Sequence, residues 1–179
     1  MDFHLTKEQL LVRKMYREFA ENEVKPLAAE IDEEERFPME TVEKMAKLGM
    51  MGIYFPKEYG GDTLAYTLCM EEVSKVDAST GITISVHTSL CCSCINNYGT
   101  EEQKMKYLPD LCSGRKIGAF GLTEPGAGTD AQGQQTTAVL DESGENYILN
   151  GSKCFITNGN VADTFVIIAV TGKTTDKRG

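Results

Sequence analysis

Two short segments carry the residue types most able to do chemistry. The first, FGLTEPGAGTD at 120–130, holds three glycines and a proline around hydroxyls at Thr123 and Thr129. Pro125–Gly126 favours a tight turn. Gly126 and Gly128 can take positive φ and leave their amides uncovered, as in an anion-binding backbone nest. Glu124 and Asp130 oppose a purely electrostatic anion site unless their carboxylates point away. The second segment, FIT at 155–157, places an aromatic, a β-branched residue and a hydroxyl on one expected strand, with Phe155 and Thr157 on the same face. Residue types alone leave both segments open. The first fits an anion cradle or an ordinary connecting loop. The second fits a ligand wall or, more commonly, a core strand.

Three further motifs fail on context. Gly126-x-Gly128-x-x-Ala131 matches a relaxed dinucleotide fingerprint, but AQGQQTTAVL after it carries Gly133 and β-branched residues where a helix should open. Gly172-Lys173-Thr174 ends like a phosphate-binding P-loop, yet Ile167 stands where that motif needs glycine. Cys91 and Cys94 have zinc-site spacing without a second pair, so they read as small core residues. His4 and His87 have no Cys/His cluster beside them, and no residue is assigned to a metal.

These segments sit in a chain of 179 residues, 41% apolar and 25% charged, the balance of an ordinary globular protein. A net charge of −9 without a basic stripe argues against nucleic acid as a partner. No apolar run approaches the roughly 20 residues of a membrane span, so no membrane partner is expected. MDFHLTKEQL lacks the basic start and apolar core of a signal peptide, and six cysteines then read as reduced thiols in a cytoplasm.

Residues 1–116 read as a helical domain. Thr6 and Gln9 make a capping box, followed by Val12, Met15, Tyr16 and Phe19 on one expected face. Pro26 should kink or interrupt that helix. Pro38 suits the start of a second helix and Gly49 its end, with Val42, Met45 and Ala46 facing one way. YFPKEYGG at 54–61 is a loop. A third helix over about 64–76 aligns Cys69, Val73 and Val76. GITISVHTSLCCSCINNYG fits a helix buried on most sides, although its β-branched residues also permit a strand. Thr100 and Gln103 form a second capping box, with Met105, Leu108 and Leu111 after it, a break expected at Pro109 and a stop at Gly114.

From 117 to 179 the pattern turns to short β-prone runs: IGAFGL, TTAVL, YIL, KCFIT and TFVIIAV. Asn150–Gly151 predicts a hairpin over 146–157, and the region should be mostly antiparallel. The fold class is α+β. Five such runs in about 60 residues would begin a barrel or sandwich without closing one, and the chain reads as the front part of a longer protein.

The combination of an opening helix, FPKEYGG, FGLTEPGAGTD and NGSKCFITNG resembles the acyl-CoA dehydrogenase family over essentially the whole chain, in wording most similar to its short-chain, butyryl-type bacterial members. The resemblance implies an N-terminal helical domain, a middle antiparallel β-barrel domain and a C-terminal four-helix bundle, the last lying outside these residues. It implies FAD as cofactor. Phe120, Leu122 and Thr123 would line the isoalloxazine ring, with Thr123 hydrogen-bonded to it. Gly128 and Thr129 would approach the pyrophosphate, and Thr129 also the CoA moiety. Phe155 would pack on one ring face, and Ile156 and Thr157 would meet the pyrimidine side. Val86 and Leu90, in ITISVHTSL, would form the wall of the acyl pocket. Many relatives carry tryptophan at the Phe155 position and serine at that of Thr129.

The family reaction is α,β-desaturation: a carboxylate takes the α-proton of an acyl thioester while the β-hydride passes to flavin. The family's glutamate base lies further along than residue 179, so no catalytic residue is assigned in this chain. The implied partners are acyl-CoA and an electron-transferring flavoprotein, with a homotetramer for the full-length enzyme. Two alternatives stay open: an acyl-CoA oxidase-type flavoenzyme, and a non-catalytic binding or assembly module of the same ancestry.

Overall fold

The computed structural model describes residues 4–55 and 62–172. Most of YFPKEYGG, the P-loop-like Lys173–Thr174 and TTDKRG lie outside the described residues. Helix α1 (Lys7–Phe19) starts at the expected capping box: Gln9 N–H donates to Thr6 Oγ1 at 3.2 Å and Thr6 N–H to Gln9 Oε1 at 2.9 Å. Tyr16 and Phe19 enter the core, while Met15 faces solvent rather than joining them. Pro26 does not interrupt the run. A π-helical segment, Ala20–Val24, widens the helix just before Pro26, and α2 (Lys25–Glu33) carries the proline in its first turn, where its missing N–H costs least. Helix α3 (Met39–Lys47) follows Pro38 and ends before Gly49, whose φ of 71° turns the chain.

Helix α4 (Thr63–Ser74) lies against α1. Between them Glu72, almost fully buried, receives Arg13 Nε at 2.6 Å and Arg17 Nε at 2.9 Å. The hydrogen bond from Arg17 leads the partners that bring its pKa down to about 2. The next run is one helical stretch: α5 (Ala78–Ser85), a second π segment (Val86–Cys92) and α6 (Ser93–Tyr98). The strand option for this stretch is therefore excluded. Against the expectation that no run reaches the length of a membrane span, Ala78–Tyr98 is long and apolar enough to cross one, and half of its most apolar part is buried inside the protein. Cys91 is a core residue within it, as is Cys92, but Cys94 is only half-buried, because its place on the helix turns it from the core. Helix α7 (Glu101–Cys112) starts at the second capping box. Pro109 sits inside it without breaking it, because Leu108 and Leu111 on either side are fully buried and hold the backbone against the loss of one hydrogen bond. Met105 is exposed.

The helices are followed by strands, in the expected order. β1 (Gly118–Gly121) pairs with β4 (Thr164–Ile167), and β2 (Thr137–Leu140) with β3 (Tyr147–Asn150). Among the described residues the strands close no barrel. Two expectations need correction. The β1–β4 ladder is parallel, with Gly118 opposite Thr164 and Gly121 opposite Ile167; only β2–β3 is antiparallel. The hairpin also turns elsewhere than at Asn150–Gly151. Its turn is Asp141–Asn146, where Asp141 N–H donates to the Asn146 carbonyl at 2.9 Å and Gly144 takes φ 71°. The Asp141 carboxylate accepts from Ser143 and Asn146, and these bonds replace the Asn-Gly turn the sequence favoured. Gly151 serves a different purpose. A Cβ there would lie 2.4 Å from Thr136 Oγ1, so glycine lets the chain leave β3 tight against β2.

One buried imidazole joins the helices to the first strand. Gly118 N–H donates to His87 Nδ1 at 2.9 Å, so the proton resides on Nε2 and points at the Leu111 carbonyl, 3.0 Å away. Burial pushes the His87 pKa down to about 4.

Candidate functional site

The site is built where the chain leaves β1. Residues 118–124 and 153–158 run side by side, tied at three carbonyls. Asn158 Nδ2 donates to Gly118 O at 3.1 Å, Lys153 Nζ to Leu122 O at 2.8 Å, and Cys154 N–H to Thr123 O at 2.9 Å. Thr123 and Phe155 thus lie on adjoining segments, although they are far apart in sequence.

FIT is not a strand, and Phe155 and Thr157 do not alternate on a pleat. Segment 151–163 is irregular, and Phe155 takes φ 56°, a left-handed conformation costly for a bulky side chain. The ring is 92% exposed. A strained backbone that delivers an aromatic ring to the surface gains little from packing among the described residues. Asn158, at φ 67°, supports the bend from below: its amide also reaches Thr83 O in α5 at 3.1 Å. Asn158 was not singled out from the sequence, although asparagine is among the few residues enriched at positive φ.

The Pro125–Gly126 turn is as tight as expected, with Glu124 and Ala127 exchanging two backbone hydrogen bonds of 3.1 Å. The reason for the glycines is not the one expected. Neither Gly126 nor Gly128 has positive φ. A Cβ on either would meet nothing within 4 Å, so their effect is to keep the outer face of the loop bare. Glu124 points away from that face. Its carboxylate accepts from Lys153 Nζ at 2.8 Å and from Gln135 and Thr136 N–H at 2.7 and 3.0 Å. Lys153 leads the causes that hold its pKa at about 2. Lys153, hidden inside KCFIT, was not recognised in the sequence as a member of the site.

The residues expected to bind the cofactor differ in exposure. Phe120, Leu122, Thr123, Ile156 and Thr157 are half-buried; Gly128, Thr129 and Phe155 are exposed. Among the described residues none of the Thr123, Thr129 and Thr157 hydroxyls is hydrogen-bonded to another group of the chain, so all three are open to a ligand. Thr157 borders a cavity of about 370 Å³ that Ile82, Thr83, Asn158 and Arg36 also line. Val86 and Leu90 lie one to two turns further along the same helical run: Val86 is buried and Leu90 half-exposed, and neither lines that cavity. Asn158 Oδ1 is buried without a hydrogen-bond partner.

The two segments thus present uncommitted hydroxyls, bare glycines and an exposed, strained ring. Comparison with known proteins gives that geometry a family. The model of the acyl-CoA dehydrogenase N-terminal domain matches residues 6–115, and that of the middle domain matches 119–179. The chain belongs to the acyl-CoA dehydrogenase family. It is 65% identical over its full length to a short-chain specific acyl-CoA dehydrogenase of Clostridium acetobutylicum, covering 48% of that protein. It superposes on butyryl-CoA dehydrogenase from Megasphaera elsdenii with TM-score 0.90 at 45% identity, covering 98% of this chain and 47% of that one. For an acyl-CoA dehydrogenase complexed with FAD from Bacillus anthracis the values are 0.85 and 38%, over 92% of this chain and 29% of that one. The chain spans about half the length of the curated relatives it matches.

Proposed function

We propose that this chain supplies the helical domain (1–116) and the first part of the middle domain (117–179) of an FAD-dependent, short-chain acyl-CoA dehydrogenase. Bound FAD supplies the two-electron acceptor for α,β-desaturation. The chain's residues bind and orient. Phe155 presents its ring for stacking on the isoalloxazine. Thr123 offers its free hydroxyl to the ring edge, with Phe120 and Leu122 as an apolar floor, and Ile156 and Thr157 close the pyrimidine side. The bare loop at Gly128 and the Thr129 hydroxyl accommodate the pyrophosphate, and Thr129 also meets the CoA moiety. Val86 and Leu90 belong to the helical wall facing the acyl chain. The base that takes the α-proton comes from outside these residues. The enzyme works in the cytoplasm as a homotetramer and passes electrons to an electron-transferring flavoprotein.

The observation that carries this reading is Phe155: an exposed aromatic held at positive φ, coupled through Cys154 to the Thr123 carbonyl. Its test is FAD titration of the intact enzyme against Phe155→Ala. Loss of about 1 to 2 kcal/mol of stacking is expected, and unchanged affinity would refute it. Residues 1–179 alone, assayed with butyryl-CoA and an artificial acceptor, should show no turnover. Peroxide formed from oxygen during turnover by the intact enzyme would move the assignment to an oxidase.

A further inference from the structure

The buried ammonium of Lys153 has no part in the chemistry described so far. Its side chain is 10% exposed and that of Glu124 is 6% exposed. Each of the three donors of a lysine ammonium is used: Leu122 O, Glu124 Oε1 and Gln134 Oε1, all at 2.8 Å. Two of these acceptors belong to the residues on either side of Thr123. One bond fixes the carbonyl before it and the other fixes the side chain after it. On Lys153's own strand of chain, the next residue donates to Thr123 O and the one after is Phe155. One cation therefore holds both sides of the candidate flavin surface.

We propose that Lys153 is a positioning residue for the flavin, setting the Thr123 hydroxyl and the Phe155 ring in register through Leu122 and Glu124. This rests on the FAD reading above. The physical argument is one of satisfaction. Charge-assisted bonds of this kind are about twice as strong as neutral ones, and removing one partner strands the others. Without the ammonium, the Glu124 carboxylate would sit almost buried with only backbone amides to neutralise it. The carboxylate would swing toward water, and the 122–124 backbone and Thr123 would move with it.

The test uses the intact enzyme with three readouts: FAD affinity, the visible flavin band, and the flavin midpoint potential at saturating FAD. Lys153→Met should weaken FAD binding at least about tenfold. It should also shift both the band and the potential when saturated. Lys153→Arg, which keeps the charge but not the single-point geometry, should recover most of the affinity and show a smaller shift of the same sign. Glu72→Gln, which loosens the α1–α4 contact far from the loop, should lower thermal stability and leave band and potential alone. A saturated Lys153→Met enzyme with the wild-type band, potential and affinity would overturn the proposal. If Lys153→Met fails to fold, Lys153→Arg and Glu124→Gln decide, and wild-type flavin properties in both would overturn it. A wild-type enzyme that holds no FAD would instead overturn the reading beneath it.

Discussion

The helical region and the strand region differ in how far they enclose their large apolar side chains. Among the helices Glu72 is buried among Arg13, Arg17 and Lys75, and His87 between Gly118 and Leu111, just as Lys153 and Glu124 are buried together in the strand region, while Thr41 Oγ1 and Asn158 Oδ1 are buried without a partner. Apolar groups such as Met45, Met50, Leu108 and Leu111 are wholly enclosed. In the strand region Val139, Leu140, Tyr147, Ile148 and Leu149 of the hairpin are half exposed or more, and Phe155 is the most exposed large apolar side chain described. Internal packing explains the enclosed side chains of the first region, although Leu11, Tyr98 and Met105 stay exposed there. It explains fewer of those in the second, and among the side chains it leaves over are those at 120–129 and 155–157 proposed above to form a ligand surface. An exposed apolar group is ordinary when isolated; one presented by a strained backbone is not.

That contrast can be broken at several points. The largest effect is expected in the enclosed core, where Leu108→Ala should cost about 3 to 4 kcal/mol by denaturant unfolding; a cost under about 1 would mean the helical region is not closed as described. Next comes the imidazole. Its folded pKa of about 4 lies below the usual 6.5. The unfolded chain therefore binds the extra proton between those values. The stability from a neutral His87 is complete above pH 6.5 and lost as pH falls toward 4, on the order of 3 kcal/mol in all. Unfolding free energies measured across that window should show the slope, and His87→Gln should flatten it. Third, Glu72→Gln should cost about 2 kcal/mol, less than a fully buried pair because Arg17 is largely solvated. The smallest effect sharpens the contrast most. Phe155→Gly, which removes positive-φ strain and a ring that packs on nothing, should leave stability unchanged or raised by up to about 1 kcal/mol. A loss of 2 kcal/mol would make Phe155 a structural residue.

The helical region was legible because local signals and burial agree. Both capping boxes, the Pro38 start and the Gly49 stop act within a few residues of the sequence that encodes them. Pro109 misled because propensity is local while the burial of Leu108 and Leu111 is tertiary. The strand region was less legible for the same reason. KCFIT has the composition of a strand, but Lys153 and Asn158 find partners in Leu122, Glu124, Gly118 and Thr83, far away in sequence. Those long-range bonds bend the segment and turn Phe155 outward. The Pro-Gly turn was readable, whereas the inward pointing of Glu124 depended on a lysine some thirty positions later, and no periodicity reports that.

The most direct test of the central claim is a crystal structure of the intact enzyme with FAD bound. The account predicts the isoalloxazine in van der Waals contact with the Phe155 ring and the Thr123 hydroxyl within hydrogen-bond distance of its edge. FAD bound elsewhere, with Phe155 still facing water, would contradict it.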